Sequence, residues 1–371
     1  MKRIAILTSG GDAPGMNAAI RAATLVGRAA GAEILGIERG YRGLLDDAFV
    51  ELGPNDVSGI LREGGTVLGS ARCKEFHERP VRDRAREILA RHAIDGLVVI
   101  GGNGSLTGAI HRADPAEVGS GRPLKIIGVP ASIDNDLGLT SRAIGVDTAM
   151  NTIVEACDKI ADTATAHDRT FIIEVMGRDC GYLAMTSAIA VGADLALFPE
   201  ANKTEADIVD QIVDTVIAVR KRPARRRARH VIVIKAEGVA VHAERLKTLV
   251  DQKLRTRMAD AEHHLIETRV TVLGHVVRGG RPSAFDRLLG SRLANVAVRS
   301  LFAGHTQQMA SWMPPVELPE DVGTRSPYDP YIWLVHLKAV LAETANLLGG
   351  RSSLARWRAG AFDEIEDALM L

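Results

Sequence analysis

The sequence predicts an α/β fold in which parallel β-sheets are covered by helices on both faces. Short apolar runs alternate with helix-length segments along the chain, and several of these runs end in glycine-rich turns. Strands that alternate with helices form βαβ units, and the strands of such units are parallel. At 371 residues the chain exceeds the size of one typical domain, so two domains are expected.

The predicted elements follow one another in regular alternation. The strand candidates are short apolar runs at residues 3–7, 33–37, 96–100, 125–129, 169–174, 195–198, 230–235 and 269–273. The helix candidates have helical periodicity and cover residues 16–30, 81–92, 150–166, 183–191, 205–222 and 243–258. Beyond residue 310 the sequence, with its three tryptophans, predicts packed helices.

Composition and charge exclude several classes of protein. Lys plus Arg and Asp plus Glu each number 46, so no overall charge attracts nucleic acid. Cys73, Cys157 and Cys180 have neither metal-ligand spacing nor a disulfide framework, which fits a reducing cytoplasm. No apolar run is long enough to span a membrane or to form a signal peptide. The basic segment 220–229 is interpreted as a solvated helix end, with anion or nucleic-acid binding as the alternative.

Three strands end in glycine-rich turns that begin helices, at residues 8–15, 101–105 and 176–181. Helix N-termini present free N–H groups and a partial positive charge, and glycine lets an anion approach the backbone closely. Three such turns predict a polyphosphate or phosphorylated ligand. The sequence has no P-loop motif and no dinucleotide fingerprint, which excludes a P-loop kinase and makes a dehydrogenase a poor fit.

A loop rich in carboxylates follows the strand at residues 125–129. Pro130 ends this strand, and Ser132, Asp134 and Asp136 come directly after it. Catalytic groups in α/β proteins commonly lie at the carboxyl ends of strands. The alternative is an Asx-rich turn whose side chains bond only to nearby backbone. Together with phosphate-binding turns, the loop favours phosphoryl transfer, in which positioning and charge neutralisation supply most of the rate.

Five strings closely resemble the bacterial phosphofructokinase family, in order along residues 1–300. They are LTSGGDAPGMNAAIR at 7–21, GGTVLGSAR at 64–72, IDND at 133–136, EVMGR at 174–178 and LGHVVRGG at 273–280. The resemblance implies a glycolytic 6-phosphofructokinase, which uses ATP and Mg²⁺ to convert fructose 6-phosphate to fructose 1,6-bisphosphate. It also implies two similar αβα three-layer, Rossmann-like domains with the active site in the cleft. Residues 1–145 plus 277–327 would bind the phosphoryl donor, and residues 146–276 plus 328–371 would bind the sugar phosphate and include a helical tail.

The resemblance also assigns roles to individual residues. Asp134 would be the general base on the sugar hydroxyl, with Ser132 beside the moving phosphoryl group, Asp136 supporting the charges and Arg178 stabilising the transition state. The donor-site residues it implies are Gly11, Tyr41, Arg72, Cys73, Gly102, Asn103, Gly104 and Ser105. The other sugar-phosphate residues are Arg169, Met176, Gly177, Glu237, Arg269, His275 and Arg278. In the family, Arg169 and Arg269 reach a neighbouring subunit's site, which implies a homotetramer, or a homodimer, with shared sites.

Three positions bear on the alternatives. Asn103 stands where the family usually has a magnesium-binding Asp. Three consequences are open: a weaker affinity for magnesium, a carboxylate recruited from elsewhere, or an impaired enzyme. The other site residues are intact, which favours a working enzyme. Pyrophosphate-dependent relatives tend to carry Asp at the position of Gly104 and Lys at that of Ala131, so this chain favours ATP. The remaining alternatives are a pyrophosphate-dependent enzyme, a kinase of another sugar phosphate such as sedoheptulose 7-phosphate, and a weakly active regulatory or binding homologue.

Overall fold

A computed structural model describes residues 1–113, 124–221, 230–258, 267–314, 318–353 and 360. It confirms the α/β fold with mainly parallel sheets. The chain divides into two compact units. The first comprises residues 1–148 and 278–347, and the second comprises residues 149–277 and 348–371.

The predicted strands and helices up to residue 273 are present, with differences at their ends. Residues 40–45, 49–51 and 103–113 form further elements that the sequence analysis missed. Beyond residue 310, where it predicts packed helices, the structure has strands as well as a helix. The strands are β1 (Arg3–Ser9), β2 (Glu33–Ile37), β3 (Phe49–Glu51), β4 (Gly96–Gly101), β5 (Lys125–Pro130), β6 (Thr170–Val175), β7 (Leu195–Leu197), β8 (Val231–Ala236), β9 (Thr268–Val272), β10 (Gln308–Trp312), β11 (Gly323–Arg325) and β12 (Ile332–His336). The helices are α1 (Met16–Ala29), α2 (Gly40–Leu45), α3 (Arg79–Arg91), α4 (Asn103–Ala113), α5 (Val146–His167), α6 (Tyr182–Val191), α7 (Glu205–Lys221), α8 (Ala243–Arg257), α9 (Ala284–Ala303) and α10 (Leu337–Leu348).

The first unit is built on an eight-stranded sheet with the order β11-β12-β10-β5-β4-β1-β2-β3. Its five central strands are parallel, and β3, β12 and β11 run antiparallel to the neighbours they pair with. Because strand side chains alternate between the two faces, Leu7 and Val99 pack into a core with residues of α2, α3, α4 and α10. Ile4 and Ile34 point to the other face, where Gly27 lets α1 approach them closely.

The second unit is built on a four-stranded parallel sheet with the order β7-β8-β6-β9. Ile172, Val231 and Val233 share one face of this sheet and form a core with the apolar faces of α7 and α8. Nearly every residue of β6 and β8 is buried, as continuous apolar strands of a covered parallel sheet should be.

The predicted domain boundary within the C-terminal region is wrong. The sequence analysis assigns residues 328–371 to the second domain as a helical tail, whereas residues 328–347 belong to the first unit. The physical reason is strand pairing: β12 pairs antiparallel with β10, so that Leu334 and Val335 are buried in the large sheet. The boundary residues 145 and 277 lie close to the structural divisions at Thr148 and Arg278.

No helix in the described part of the chain is both long enough and apolar enough to cross a membrane. Most of the basic segment 220–229 lies outside the described residues. Within it, Arg220 belongs to the last turn of α7 and donates a hydrogen bond to the carbonyl of Asp168.

Candidate active site

Three of the predicted functional loops leave the first unit's sheet side by side. In the parallel register Ser9 of β1 is paired with Gly101 of β4, and Gly101 is paired with Pro130 of β5. The glycine loop at 10–15, the first turn of α4 and the carboxylate loop at 131–136 therefore start from adjacent strand ends. This edge is where ligands bind in parallel α/β sheets.

Short contacts hold these loops together. Ser105 donates a hydrogen bond from its hydroxyl to the carbonyl of Ser9 over 2.8 Å, and this contact joins the start of α4 to the glycine loop. Arg278 donates to the carbonyl of Asp12 over 3.4 Å, and its guanidinium fills the space that a side chain at residue 11 would need. Gly11 therefore lets the end of the flexible Arg278 side chain lie against the loop, and two residues that the resemblance assigns to the site are in contact.

Buried polar side chains that the sequence analysis did not single out fix the neighbouring segment 63–72. Asn17, which is 1% exposed, donates to the carbonyls of Glu63 and Gly64 and accepts from the N–H of Val67 over 2.8 Å. Ser70 donates to the carbonyl of Gly10 over 2.6 Å. In the sequence, Asn17 could have been recognised as a polar residue within the otherwise apolar first turns of a helix. A buried amide at such a position needs hydrogen-bond partners.

Tyr41 is buried against α4, and only 4% of the residue is exposed. Its hydroxyl donates to the carbonyl of Ser105 over 2.6 Å, and its ring stacks on Phe76 with the centroids 4.2 Å apart. Any side chain at Gly108 would meet this ring, so glycine there allows the tyrosine to lie against α4. In this position Tyr41 orients the first turn of α4, which begins at Asn103.

The carboxylate loop is clamped by one buried residue, which lies between two half-buried carboxylates. Asn135 is fully buried with a φ of 50°, donates to the carbonyl of Ser141 over 3.1 Å and accepts from the N–H of Ala143 over 3.0 Å. The Asx-turn alternative thus describes Asn135, which the sequence analysis passed over. Asp134 and Asp136 on either side are half-buried, and Ser132 donates to Asp136 over 2.7 Å.

Arg72 and Cys73 lie beyond the glycine loop, and their surroundings differ. Arg72 is exposed, as a group that binds a mobile phosphate can be. Burial, followed by the hydrogen bond and the charge of Glu75, raises the pKa of the Cys73 thiol. Cys73 is therefore protonated at neutral pH and is no candidate nucleophile. Burial also raises the pKa of Cys157, to about 12, so that thiol is inert as well.

In the second unit, two loops at the carboxyl ends of β6 and β8 are joined by their backbones. The N–H of Glu237 donates to the carbonyl of Val175 over 2.9 Å, and the N–H of Gly238 donates to the carbonyl of Gly177 over 3.1 Å. Gly177 has a φ of 126°, which favours glycine. The loops bring Met176, Gly177, Arg178 and Glu237 to one end of the sheet, and His275 follows β9 at that same end.

Arg169 and Arg269 lie at the opposite end of this sheet. Arg169 immediately precedes β6, and Arg269 is paired with Phe171 near the start of β9. Five residues of strand separate this end from Glu237's loop, or roughly 15 Å. Both arginines contact the carboxylate of Glu267, Arg169 over 2.7 Å. The second unit therefore does not bring these two arginines to its loops that carry Met176, Arg178 and Glu237.

The donor set fits a magnesium ion that is shared with substrate phosphates. No group of three or more His, Cys, Asp or Glu side chains suited to a metal ion occurs among the described residues. Mg²⁺ usually keeps several waters and takes one or two protein oxygens together with phosphate oxygens. Asn103 supplies an amide oxygen, and the loop from the neighbouring strand carries the half-buried Asp134 and Asp136.

A family model described as "Phosphofructokinase" matches residues 3–301. The chain belongs to the phosphofructokinase family. A relative from Thermotoga neapolitana named "ATP-dependent 6-phosphofructokinase" is 44% identical over 312 residues, which is 83% of this chain and 89% of the relative. A relative of the same name from Clostridium botulinum strain Alaska E43 is 46% identical over 309 residues, with the same coverage of both chains.

Solved phosphofructokinase structures share the fold. Pichia pastoris phosphofructokinase in the T-state matches 99% of this chain with a TM-score of 0.84 and 34% identity. This chain spans only 39% of that longer one. A pyrophosphate-dependent phosphofructokinase from Marinobacter aquaeolei matches 92% of this chain and 84% of its own length with a TM-score of 0.75, and at 22% identity it shows the fold alone.

Proposed function

We propose that this protein is an ATP-dependent 6-phosphofructokinase, which transfers the γ-phosphoryl group of ATP to the 1-hydroxyl of fructose 6-phosphate in glycolysis. One observation carries the proposal: the glycine loop, the start of α4 and the Asp134 loop meet at adjacent strand ends of one parallel sheet. The relatives named "ATP-dependent 6-phosphofructokinase" support the choice of substrates.

Asp134 removes the proton from the sugar hydroxyl as that oxygen attacks the γ-phosphorus. A base for this step must be held within hydrogen-bond reach of the hydroxyl. Asn135, bonded on both sides of its amide, fixes the backbone next to Asp134. The hydroxyl of Ser132 neutralises part of the Asp136 charge through their 2.7 Å hydrogen bond, and Asp136 supports the arrangement of charges around Asp134.

The transferring phosphate meets cationic and N–H groups. The N–H groups of the glycine loop at 10–15 and the guanidinium of Arg278, which touches that loop, are placed to stabilise the developing negative charge. Arg72 supplies a further permanent cation for the donor phosphates, and Arg178 is proposed to stabilise the transition state.

Asn103 is proposed to hold magnesium through its amide oxygen, with a carboxylate of the neighbouring loop completing the protein ligands. When bound, the ion neutralises phosphate charge and aligns the donor for in-line attack. The residues of the chain then provide the base, the phosphate cradle and the sugar contacts that the transfer requires.

The surroundings of residues 104 and 131 favour the nucleotide as donor. Gly104 is exposed, and a side chain added there would meet no other atom within 4 Å, which leaves space above the first turn of α4. Ala131 is 1% exposed and donates its N–H to the carbonyl of Gly101 over 3.1 Å. A lysine at residue 131, as pyrophosphate-dependent relatives tend to have, would not fit this buried position without rearrangement of the loop.

The proposed function is tested by initial rates with fructose 6-phosphate or sedoheptulose 7-phosphate as acceptor and ATP or pyrophosphate as donor, each with and without Mg²⁺. We expect turnover with ATP and Mg²⁺ and the formation of fructose 1,6-bisphosphate. Faster turnover with pyrophosphate would overturn the donor assignment. Faster turnover with sedoheptulose 7-phosphate would overturn the assignment of the acceptor. No turnover with either donor would indicate a binding homologue.

Replacing Asn103 by Asp should lower the Mg²⁺ concentration that gives half-maximal rate several-fold. A hard divalent cation gains more from a carboxylate than from a neutral amide oxygen. Magnesium titrations at saturating ATP and sugar phosphate measure this change. Thr107→Val is a matched control, since Thr107 lies on the same helix and bonds only to the backbone carbonyl of Asn103 in the described structure. An unchanged magnesium requirement in Asn103→Asp would show that residue 103 does not contact the ion.

We further propose a homo-oligomer, a tetramer or a dimer, in which Arg169 and Arg269 serve a neighbouring subunit's sugar-phosphate site. Their position at the end of the sheet opposite Glu237 supports this arrangement. Two inactive variants, Asp134→Asn and Arg269→Ala, should regain about a quarter of wild-type activity when refolded together, because some mixed sites are intact. Asp134→Asn mixed with Arg72→Ala is the control that should stay inactive. Absence of regained activity in the first mixture would contradict shared sites.

A cytoplasmic location and small-molecule partners complete the proposal. The cysteines of the chain are free thiols in the structure, as expected in a reducing compartment. The balance of 46 basic and 46 acidic residues gives no basis for nucleic-acid binding.

A further inference from the structure

A lysine lies at the end of an apolar strand in the second unit, where the proposed function assigns it no role. Lys235 is the fifth residue of β8, whose sequence is VIVIKA, and it is 1% exposed. By strand alternation it shares a face with Val231 and Val233, which belong to the core under α7 and α8. A buried ammonium requires a partner charge and hydrogen-bond acceptors.

Both requirements are met at the edge of the sheet next to the sugar-phosphate loops. The ammonium of Lys235 donates to a carboxylate oxygen of Glu174 over 2.8 Å and to the carbonyl of Ala236 over 3.1 Å. Glu174 is directly opposite Lys235 in the parallel register, and its side chain is 19% exposed. The ion pair therefore connects β6 and β8 at the second-last residue of each strand.

Each partner immediately precedes a loop that the proposed function needs. Glu174 leads through Val175 into the Met176–Gly177–Arg178 loop. The carbonyl of Ala236, which accepts from Lys235, also accepts from the N–H of Val239 over 3.2 Å and so closes the turn that contains Glu237. Lys235 thus contacts the base of both loops, while the N–H of Gly238 joins their tips through the carbonyl of Gly177.

The charge of this pair matters for an anionic ligand. A carboxylate at Glu174 without a counter-charge would repel a sugar phosphate bound at this end of the sheet. Lys235 cancels that charge from the buried side. Buried ion pairs give little net stability relative to apolar residues of similar volume, and in some proteins they are kept because they specify one geometry.

We propose that Lys235 is a positioning residue for the sugar phosphate, which acts through Glu174 and the Ala236 carbonyl on the loops that carry Arg178 and Glu237. This inference rests on the proposed function, because it assumes that these loops bind fructose 6-phosphate. Lys235 touches neither substrate nor reacting atoms in this role.

The test compares the wild-type enzyme with a double variant, Glu174→Met with Lys235→Met, which replaces the pair by apolar side chains of similar length. We expect a folded protein whose KM for fructose 6-phosphate rises about tenfold, since supporting contacts of this kind typically change affinity by that order. The KM for ATP should not change. Binding of fructose 6-phosphate without ATP, measured by calorimetry, should weaken by the same factor.

The control is Lys159→Met, which removes an exposed lysine paired with Glu155 on α5 in the same unit. We expect wild-type constants there, because exposed pairs contribute little. A lowered melting temperature of the double variant with wild-type KM values would mean that the pair is only structural, and the inference would be overturned. If the wild-type enzyme does not turn over fructose 6-phosphate, the proposed function itself fails.

If the double variant does not fold, Glu174→Gln decides the question. Gln keeps the size of the side chain and an oxygen that can accept from Lys235, but it removes the charge. We expect a several-fold higher KM for fructose 6-phosphate, because a neutral amide holds Lys235 less firmly than a carboxylate and the geometry of the two loops is weakened. Unchanged sugar-phosphate binding in this variant would overturn the inference.

Discussion

Replacing Asp134 by Asn should lower kcat by about 10³-fold, which is a typical contribution of a positioned general base. Asn has the same shape as Asp but cannot accept the proton of the sugar hydroxyl. The substitution leaves in place the Asn135 amide, whose two hydrogen bonds to Ser141 and Ala143 hold the loop backbone. We expect KM values for both substrates to change much less than kcat, because the lost interaction is strongest in the transition state.

Steady-state rates with ATP and fructose 6-phosphate measure this loss, and thermal unfolding verifies that the variant is folded. Asp321→Asn is the matched control, since it makes the same chemical change at an exposed residue of the first unit. It should have wild-type kcat. A folded Asp134→Asn variant with wild-type kcat would show that another group takes the proton.

Replacing Gly238 by Ala should raise the KM for fructose 6-phosphate more than tenfold and destabilise the protein by about 2 kcal/mol, a typical cost of overpacking. A methyl group at residue 238 would overlap the backbone carbonyl of Arg178 and lie 3.0 Å from that of Gly177. Backbone atoms cannot move aside as a flexible side chain can. The loops must therefore separate, and the hydrogen bond from the N–H of Gly238 to Gly177 is lost or lengthened.

Steady-state kinetics measure the change in the KM for fructose 6-phosphate, and thermal unfolding measures the loss of stability. Gly192→Ala is the control in the same unit, because it has a φ of 63° with no atom within 4 Å of an added methyl group. The left-handed backbone costs about 1 kcal/mol for a residue with a side chain, without a steric clash. Gly192→Ala should therefore lose some stability and keep its sugar-phosphate affinity. Equal KM values in the two variants would contradict a special role for Gly238.

The order of strands and helices was predictable because it depends on local patterns. Continuous apolar runs such as that of β4 and helical periodicities such as that of α1 survive in any tertiary context. The C-terminal strands were missed for a physical reason. β10, with the sequence QMASW, becomes a strand by pairing with β5 and β12, and this long-range pairing has no local signature.

The loops of the candidate site could be proposed from the sequence because their glycines and carboxylates directly follow apolar strands. The contacts that hold them were harder to foresee. Asn17 and Asn135 look like ordinary polar residues in the sequence, and only burial shows that their amides clamp backbone. The separation of Arg169 and Arg269 from Glu237 follows from strand direction, which becomes visible only when the register of β6 and β9 is known.

Two contacts that support the Asp134 loop come from the C-terminal part of the first unit and can form only after that part has been synthesised. Asp134's loop leads to Gly138, whose N–H donates to the Thr344 hydroxyl of α10 over 2.9 Å, and to Ser141, whose N–H donates to the carbonyl of Trp312 over 2.8 Å. A nascent chain released after residue 301 would contain every predicted site residue and still lack both contacts. The ribosome must therefore deliver the final part of the chain before the Asp134 loop, synthesised much earlier, acquires its support. A premature stop codon in the last part of the coding sequence would produce a chain that has all of the predicted site residues but lacks the two contacts that support the Asp134 loop.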